Sequence, residues 1–359
     1  MDSRPPRPSR SPRPSRTARP SETDIEAHPA NRIGAAPPRT RAWRGGRLQA
    51  EGFPVHELRE YLRQPDVVVW LDLCGPRHED LHVISDELAL DPVAVEDAVS
   101  RDERAKLDRY DGYSFLNVYI PVLDGTDLTL HELSAFVSER ALVTVRQNPD
   151  LDIDELVRRW DGTAGADLGD TGASWLLHGM LDLVVDRQLE AVEALDDEAD
   201  AVEELVFGDE FPVKEIQRRS YRLRKALAGL RRIALPMRDV LNTLLRRDLR
   251  LVPPPLVPYF QDVGDHAWRV AEWTDAVRER VSDLLETRLA LQSNRVNEVM
   301  KKLAGWAAIV AVPTAVTGFH GQNVLFPGAE DRSGFITSTV IIVVSCVTLY
   351  LIFKRRDWL

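Results

Sequence analysis

Two uncharged apolar runs near the C-terminus, residues 303–319 and 335–353, constrain this chain more than any other feature. Each approaches the ~20 residues needed to span a bilayer core. The averages conceal them: 44% apolar residues, 29% charged residues and a mean hydropathy of -0.25 read as soluble. The second run is convincing on its own. The first is shorter and rich in Ala, Thr and Gly, small residues that let helices pack closely or face water, and taken alone it also fits a buried soluble helix. The flanks favour the membrane. Lys301 and Lys302 precede the first run, and Lys354, Arg355 and Arg356 follow the second, whereas the connection 320–334 holds Glu330, Asp331 and only Arg332. The positive-inside rule then predicts a multi-pass protein of the inner (plasma) membrane, with both termini cytoplasmic and the connection outside. Two helices from one chain cannot enclose a pore, so a pore requires a ring of copies.

Upstream of the spans the chain divides by composition. Residues 1–47 are rich in Pro, Arg and Ser and carry eleven Arg against four acids, a net of +7. They read as a disordered, solvated tail with no specific nucleic-acid target. The remainder carries -11 - 7 = -18, a balance that suits cationic partners as well as plain solubility. Residues 48–171 read as a mixed α/β domain. Strands are predicted at 67–71, 113–120, 132–138 and 141–147 from β-branched and aromatic content, the last two as a pair. One helix is predicted over 86–100, with Leu88, Val93 and Val95 as its apolar positions. Residues 172–256 read as a helical hairpin, an acidic helix near 174–206 followed by a basic one near 213–249. Residues 257–302 read as a stalk helix whose apolar stripe runs through Val263, Ala267, Val270, Val277, Val281, Leu284, Leu285 and Leu289. Joined to the first span, it would be a single helix of roughly 60 residues, about 90 Å at 1.5 Å per residue.

Several function classes drop out. No Gly-rich phosphate loop occurs, which argues against an ATP-driven pump on this chain. No nucleophile–base motif stands out, so an enzyme is not expected, and no organic cofactor is implied. Cys74 and Cys346 are the only cysteines, too few for a disulfide framework and in keeping with a reducing compartment.

At the end of the first span the chain reads Thr317-Gly318-Phe319-His320-Gly321-Gln322-Asn323. This resembles the Gly-Met-Asn signature of CorA-type magnesium transporters, which follows the first of two C-terminal spans. Residues 258–266, residues 297–303 (Asn-Glu-Val-Met-Lys-Lys-Leu) and the basic ending 354–359 resemble other parts of that family. The likeness extends over roughly 55–359 and is sharpest in the last hundred residues. The sequence departs at His320, where Tyr is usual, and at Gln322, where Met is usual.

The resemblance implies a homopentameric funnel that conducts magnesium, with cobalt or nickel as further candidates. It implies a selectivity filter of Gly321, Gln322 and Asn323. Magnesium sheds its water shell reluctantly, and a ring of neutral Asn323 amide oxygens would hold the hydrated ion without trapping it. Asn297, Leu303 and Thr314 would line the pore, with Leu303 as a hydrophobic constriction. Glu96, Asp97, Asp182 and Asp262 would bind regulatory magnesium between cytoplasmic domains. The membrane potential would drive influx, at about 4.6 kcal/mol per 100 mV for a divalent ion, twice the single-charge figure. Two other readings stay open: a zinc carrier of the same superfamily, since the His320 imidazole suits softer metals, and a membrane-anchored scaffold without transport.

Overall fold

The computed structural model describes residues 34–100, 104–163, 171–208, 212–246, 251–322 and 332–358. It divides into two compact units, one of Met1–Leu205 with Pro212–Arg278 and one of Val206–Phe211 with Glu279–Leu359.

The first unit is built on a seven-stranded mixed sheet. Its strands are β1 (Arg39–Arg44), β2 (Arg47–Glu51), β3 (Val67–Cys74), β4 (Lys106–Arg109), β5 (Ser114–Asp124), β6 (Asp127–Val137) and β7 (Ala141–Arg146), in the order β2-β1-β3-β7-β6-β5-β4. Only β3 and β7 run parallel, and the expected β6–β7 pair is antiparallel with Ser134 opposite Val145. Alternation along β3 assigns the faces. Val67, Val69, Leu71 and Leu73 pack beneath three short helices, α1 (Leu58–Leu62), α2 (His78–Leu88) and α3 (Pro92–Val99). Trp70, on the opposite face, packs with α4 (Ile153–Thr163), α5 (Ser174–Phe207), α6 (Val213–Leu244) and the first turns of α7 (Val257–His320). Each helical layer covers one apolar face of the sheet, as an α/β architecture requires.

Two sequence readings need correction. The Pro/Arg-rich stretch ends earlier than residue 47. Arg39–Arg44 is a strand paired with both β2 and β3, its Thr40, Ala42 and Trp43 buried. Its arginines are not tail residues either: Arg41 binds both Asp161 oxygens at 2.8 and 3.2 Å, and Arg39 lies 2.6 Å from Asp154. The single helix over 86–100 is two helices. Ala89 adopts a left-handed conformation (φ 52), and the Asp91 side chain caps α3 by accepting from the Val93 N–H. Pro92 at the first turn suits a helix start and not an interior. Val93 is exposed and Leu90 buried, the reverse of a continuous stripe.

The tryptophans gather where the helices meet the sheet. Trp160 of α4 lies edge-on to Trp43 and Trp70, and its N–H donates to the Leu176 carbonyl at 3.1 Å. It rests against Gly179 of α5, where a Cβ would come within 2.7 Å of the ring nitrogen. Gly172 (φ 58), in the turn before α5, passes so close to the Glu139 carbonyl that a Cβ would lie 2.2 Å from its oxygen. The charge complementarity expected of the hairpin is present: Arg219 of α6 reaches both oxygens of Glu198 on α5 at 2.8 Å.

Helix α7 is continuous for 64 residues, about 96 Å at 1.5 Å per residue. Phe260, Val263, Ala267, Val270, Val277, Val281 and Leu284 are buried, but Leu289 is exposed, and so is every residue from Leu289 to Ala304. The apolar stripe therefore ends within the chain before the first span begins. A second long apolar helix, α8 (Arg332–Arg355), completes the chain. Both are long and apolar enough to cross a membrane.

Candidate functional site

The C-terminal part of α7 presents two different faces. Gly305 is buried, and Ala308, Ile309, Val312, Pro313, Val316 and His320 are half-buried. These positions recur every three or four residues and make one seam. On α8, Gly334, Ser338, Ile342, Ser345, Cys346, Leu349 and Phe353 are half-buried with the same spacing. Small residues on both seams let the helix backbones approach.

A hydrogen bond marks where the seams meet. Pro313 has no N–H, so the Ile309 carbonyl loses its partner one turn later. The Cys346 thiol of α8 donates to that oxygen at 3.6 Å. In an apolar medium a carbonyl without a partner costs several kcal/mol, so a weak sulfur donor has value here. Sequence reasoning missed this junction, although Pro313 in one run and a lone polarisable Cys346 in the other were the signal for it.

The other face is open. Leu303, Val310 and Thr314 are exposed. At 100° per residue they lie within about 40° of one another and about 60–180° from the seam residues. Asn297 is exposed too, but sits about 100° from Thr314 on a straight helix. A left-handed supercoil of 3.5 residues per turn would roughly halve that offset. The hydroxyls of this region turn inward to their own helix. Thr314 donates to the Val310 carbonyl at 3.3 Å and Thr317 to the Pro313 carbonyl at 2.8 Å.

Helix α7 ends at His320, just before the residues expected to form a filter. The Gly321 N–H donates to the Thr317 carbonyl at 2.9 Å and Gln322 N–H to Phe319 at 3.3 Å. A Cβ on Gly321 would lie 3.2 Å from the Thr317 oxygen, tighter than ordinary contact, so glycine fits this last turn best. Asn323, Glu330 and Asp331 lie outside the described residues.

The four proposed regulatory acids are not gathered into one place. Asp97 is held by Lys106 at 2.8 Å, while Glu96 on the same helix is exposed. Asp182 shares the Arg159 guanidinium with Asp186, each at 2.8 Å, and Glu155 and Arg187 continue that network. Asp262 is exposed on α7. Burial lowers the pKa of His178, while Asp182, the Tyr259 backbone and Asp262 act in the opposite direction. No group of three His, Cys, Asp or Glu that could hold a metal ion occurs among the described residues. Within one chain these acids do not form a cation site, and two of them already face a protein cation.

The comparisons decide the family. A sequence model described as CorA-like Mg2+ transporter protein matches residues 65–355. The chain belongs to the CorA family. A cobalt/magnesium transport protein CorA of Thermotoga maritima is 28% identical over 328 residues, covering 87% of this chain and 92% of that one. The complete structure of the CorA magnesium transporter from Methanocaldococcus jannaschii superposes with a TM-score of 0.72 at 21% identity, over 89% of this chain and 98% of that one. The full-length CmaX structure gives 0.68 at 23% identity, over 88% and 96%. The CorA-family fold thus accounts for the α/β unit, the long helix and the two apolar helices together. Membership places the protein among divalent-cation transporters and not among enzymes.

Proposed function

We propose that the chain forms a channel for divalent cations, magnesium first and cobalt or nickel as further candidates, through a homopentamer of α7 helices. The observation that carries this reading is the pair of opposite faces on α7. One face is taken by α8, and the other, with Leu303, Val310 and Thr314, is left exposed in a single chain. Packing that open face around an axis lines a pore with hydroxyls at Thr314 and an apolar constriction at Leu303, which gates by dewetting. In this reading Gly321, Gln322 and Asn323 would form the outer mouth, and Asn297 would supply a polar ring nearer the cytoplasm. Both termini are cytoplasmic in this reading, in the plasma membrane, and the potential drives the ion inward.

Regulation by intracellular magnesium draws on Glu96, Asp97, Asp182 and Asp262 from neighbouring copies, since one chain does not converge them. Like carboxylates brought together across a boundary repel until a divalent cation bridges them. The zinc reading keeps one specific support in His320, although its Nδ1 lies 2.9 Å from the Val316 carbonyl in its own helix. Flux into liposomes separates the readings. Potential-driven uptake of magnesium, with weaker zinc uptake, is expected. Zinc uptake that follows a pH gradient would select the carrier, and no uptake of any ion by assembled protein would select the scaffold.

A further inference from the structure

The contact between Cys346 and Ile309 fixes the register of the two spans, and the register brings their charged ends to one level. The connection between α7 and α8 is short, so the helices run antiparallel. Eight residues beyond Cys346 is Lys354, and eight residues before Ile309 is Lys301. Each step is about 12 Å along its helix. Lys301, Lys302, Lys354, Arg355 and Arg356 therefore form a single basic collar, and all five are exposed. Two acids sit among them. Glu298 holds Lys302 at 3.0 Å, and Asp357 follows Arg356. Lys301, Arg355 and Arg356 have no carboxylate partner among the described residues. Lys354 lies over the Tyr350 ring at 5.8 Å.

The end of α8 is built rather than frayed. Asp357 adopts a left-handed conformation, φ 55, a position usually given to glycine. The Trp358 N–H then returns to the Phe353 carbonyl at 2.9 Å, and the two rings stack 5.4 Å apart at an interplanar angle of 5°. A non-glycine residue in this conformation costs about 1 kcal/mol or more. What the turn achieves is an aromatic plate fixed beside the free cations, at the depth where Trp and Tyr meet lipid headgroups.

We propose that this collar is a binding site for anionic phospholipid headgroups. Lys301, Lys354, Arg355 and Arg356 face the phosphates, and the Trp358–Phe353 stack seats the glycerol and upper acyl region. The occupant follows from position and charge: the collar carries a net +3 from five cations and two acids, and it closes the basic ends of two membrane helices. It rests on the reading of α7 and α8 as membrane spans.

The test uses the full chain in phosphatidylcholine liposomes containing equal fractions of either brominated phosphatidylglycerol or brominated phosphatidylcholine. Fluorescence of the wild type minus that of Trp358→Phe isolates Trp358, and a Trp306→Phe difference isolates a tryptophan within the first span. The brominated anionic lipid should quench Trp358 several-fold more efficiently than the zwitterionic one. The preference should be largely lost in each of Lys354→Gln, Arg355→Gln and Arg356→Gln, since one charge is worth about fivefold near the surface, and it should weaken with salt. Equal quenching of Trp358 by both lipids would overturn the proposal while leaving the spans intact. Loss of the preference to millimolar inorganic phosphate would also overturn it, in favour of a soluble anion. If neither lipid quenches Trp306, the membrane reading itself fails, and the proposal with it.

Discussion

Replacing Arg146 with Met isolates the buried ion pair at the centre of the sheet. Asp72 and Arg146 lie on adjacent parallel strands, with side chains 1% and 7% exposed. The Arg146 Nε donates to Asp72 at 3.0 Å, and one terminal nitrogen reaches the carbonyls of Asn148, Pro149 and Leu151 at 3.3–3.4 Å. Thr144 donates to the other Asp72 oxygen at 2.8 Å and accepts from the Trp70 N–H. Met fills similar volume but leaves a buried carboxylate and three carbonyls short of a donor. Removing one partner of a buried pair costs about 3–5 kcal/mol. At about 2–4 °C per kcal/mol for a unit of this size, the melting midpoint should fall by about 6–20 °C.

The pH dependence gives the sharper test. Burial already holds the Asp72 pKa above its ordinary value, against the pull of Arg146 and Thr144. The stability linked to its protonation is therefore fully present below the unfolded-state value and is lost as pH rises through the folded-state value. Without Arg146 the folded-state value climbs further. The deficit of Arg146→Met should thus shrink as pH falls toward the carboxylate range, and Asp72→Asn added to it should recover part of the loss near neutrality. Thermal unfolding followed by tryptophan fluorescence reports directly, because Trp70 is bonded into the network. An unchanged midpoint, or a deficit that widens in acid, would refute the reasoning.

Three other perturbations reach the rest of the molecule. Asn323→Ala should abolish magnesium uptake by liposomes while pentamer assembly, followed by native mass spectrometry, persists; wild-type flux would place the filter elsewhere. Arg159→Gln leaves Asp182 and Asp186 four residues apart without their shared cation, so stability should drop by about 1 kcal/mol at low ionic strength. In ~1 M salt, where screening acts within about 3 Å, most of that loss should vanish from denaturant melts. Pro313→Ala returns an N–H to the Ile309 carbonyl, so the infrared S–H stretch of Cys346 should shift toward that of a free thiol, and an unshifted band would contradict the assigned acceptor.

What the sequence made legible was whatever one strand or helix decides alone. The β-branched run at Val67–Val69, the pair β6–β7 and the two apolar runs each carry a local signal, and they fall in strands and helices as expected. The failures came where a partner element decides. Arg39–Arg44 shares its composition with the tail before it, and pairing with β2 and β3 together with burial of Trp43 against Trp160 and Trp175 makes it a strand. Asp182 was expected to serve a regulatory cation, and nothing local announces its pairing with Arg159, 23 residues earlier. Leu289 fits the stalk's stripe by spacing, yet no neighbour among the described residues covers it.

The same distinction explains why the weaker first span suffices. Read alone, residues 303–319 have too many small and hydroxylated residues, and a proline, for a helix surrounded by lipid. The structure divides those liabilities between two faces. Gly305, Ile309 and Pro313 lie on the seam where α8 approaches, and the carbonyl freed by Pro313 finds the Cys346 thiol there. Thr314 lies on the other face, its hydroxyl satisfied by its own backbone. Neither face needs lipid. A helix with α8 on one side and an open, partly hydroxylated stripe on the other is best accommodated when further copies cover that stripe. In the proposed assembly its modest hydrophobicity would be a consequence of position: α8 would supply the lipid-facing surface, and α7 would be spared from it.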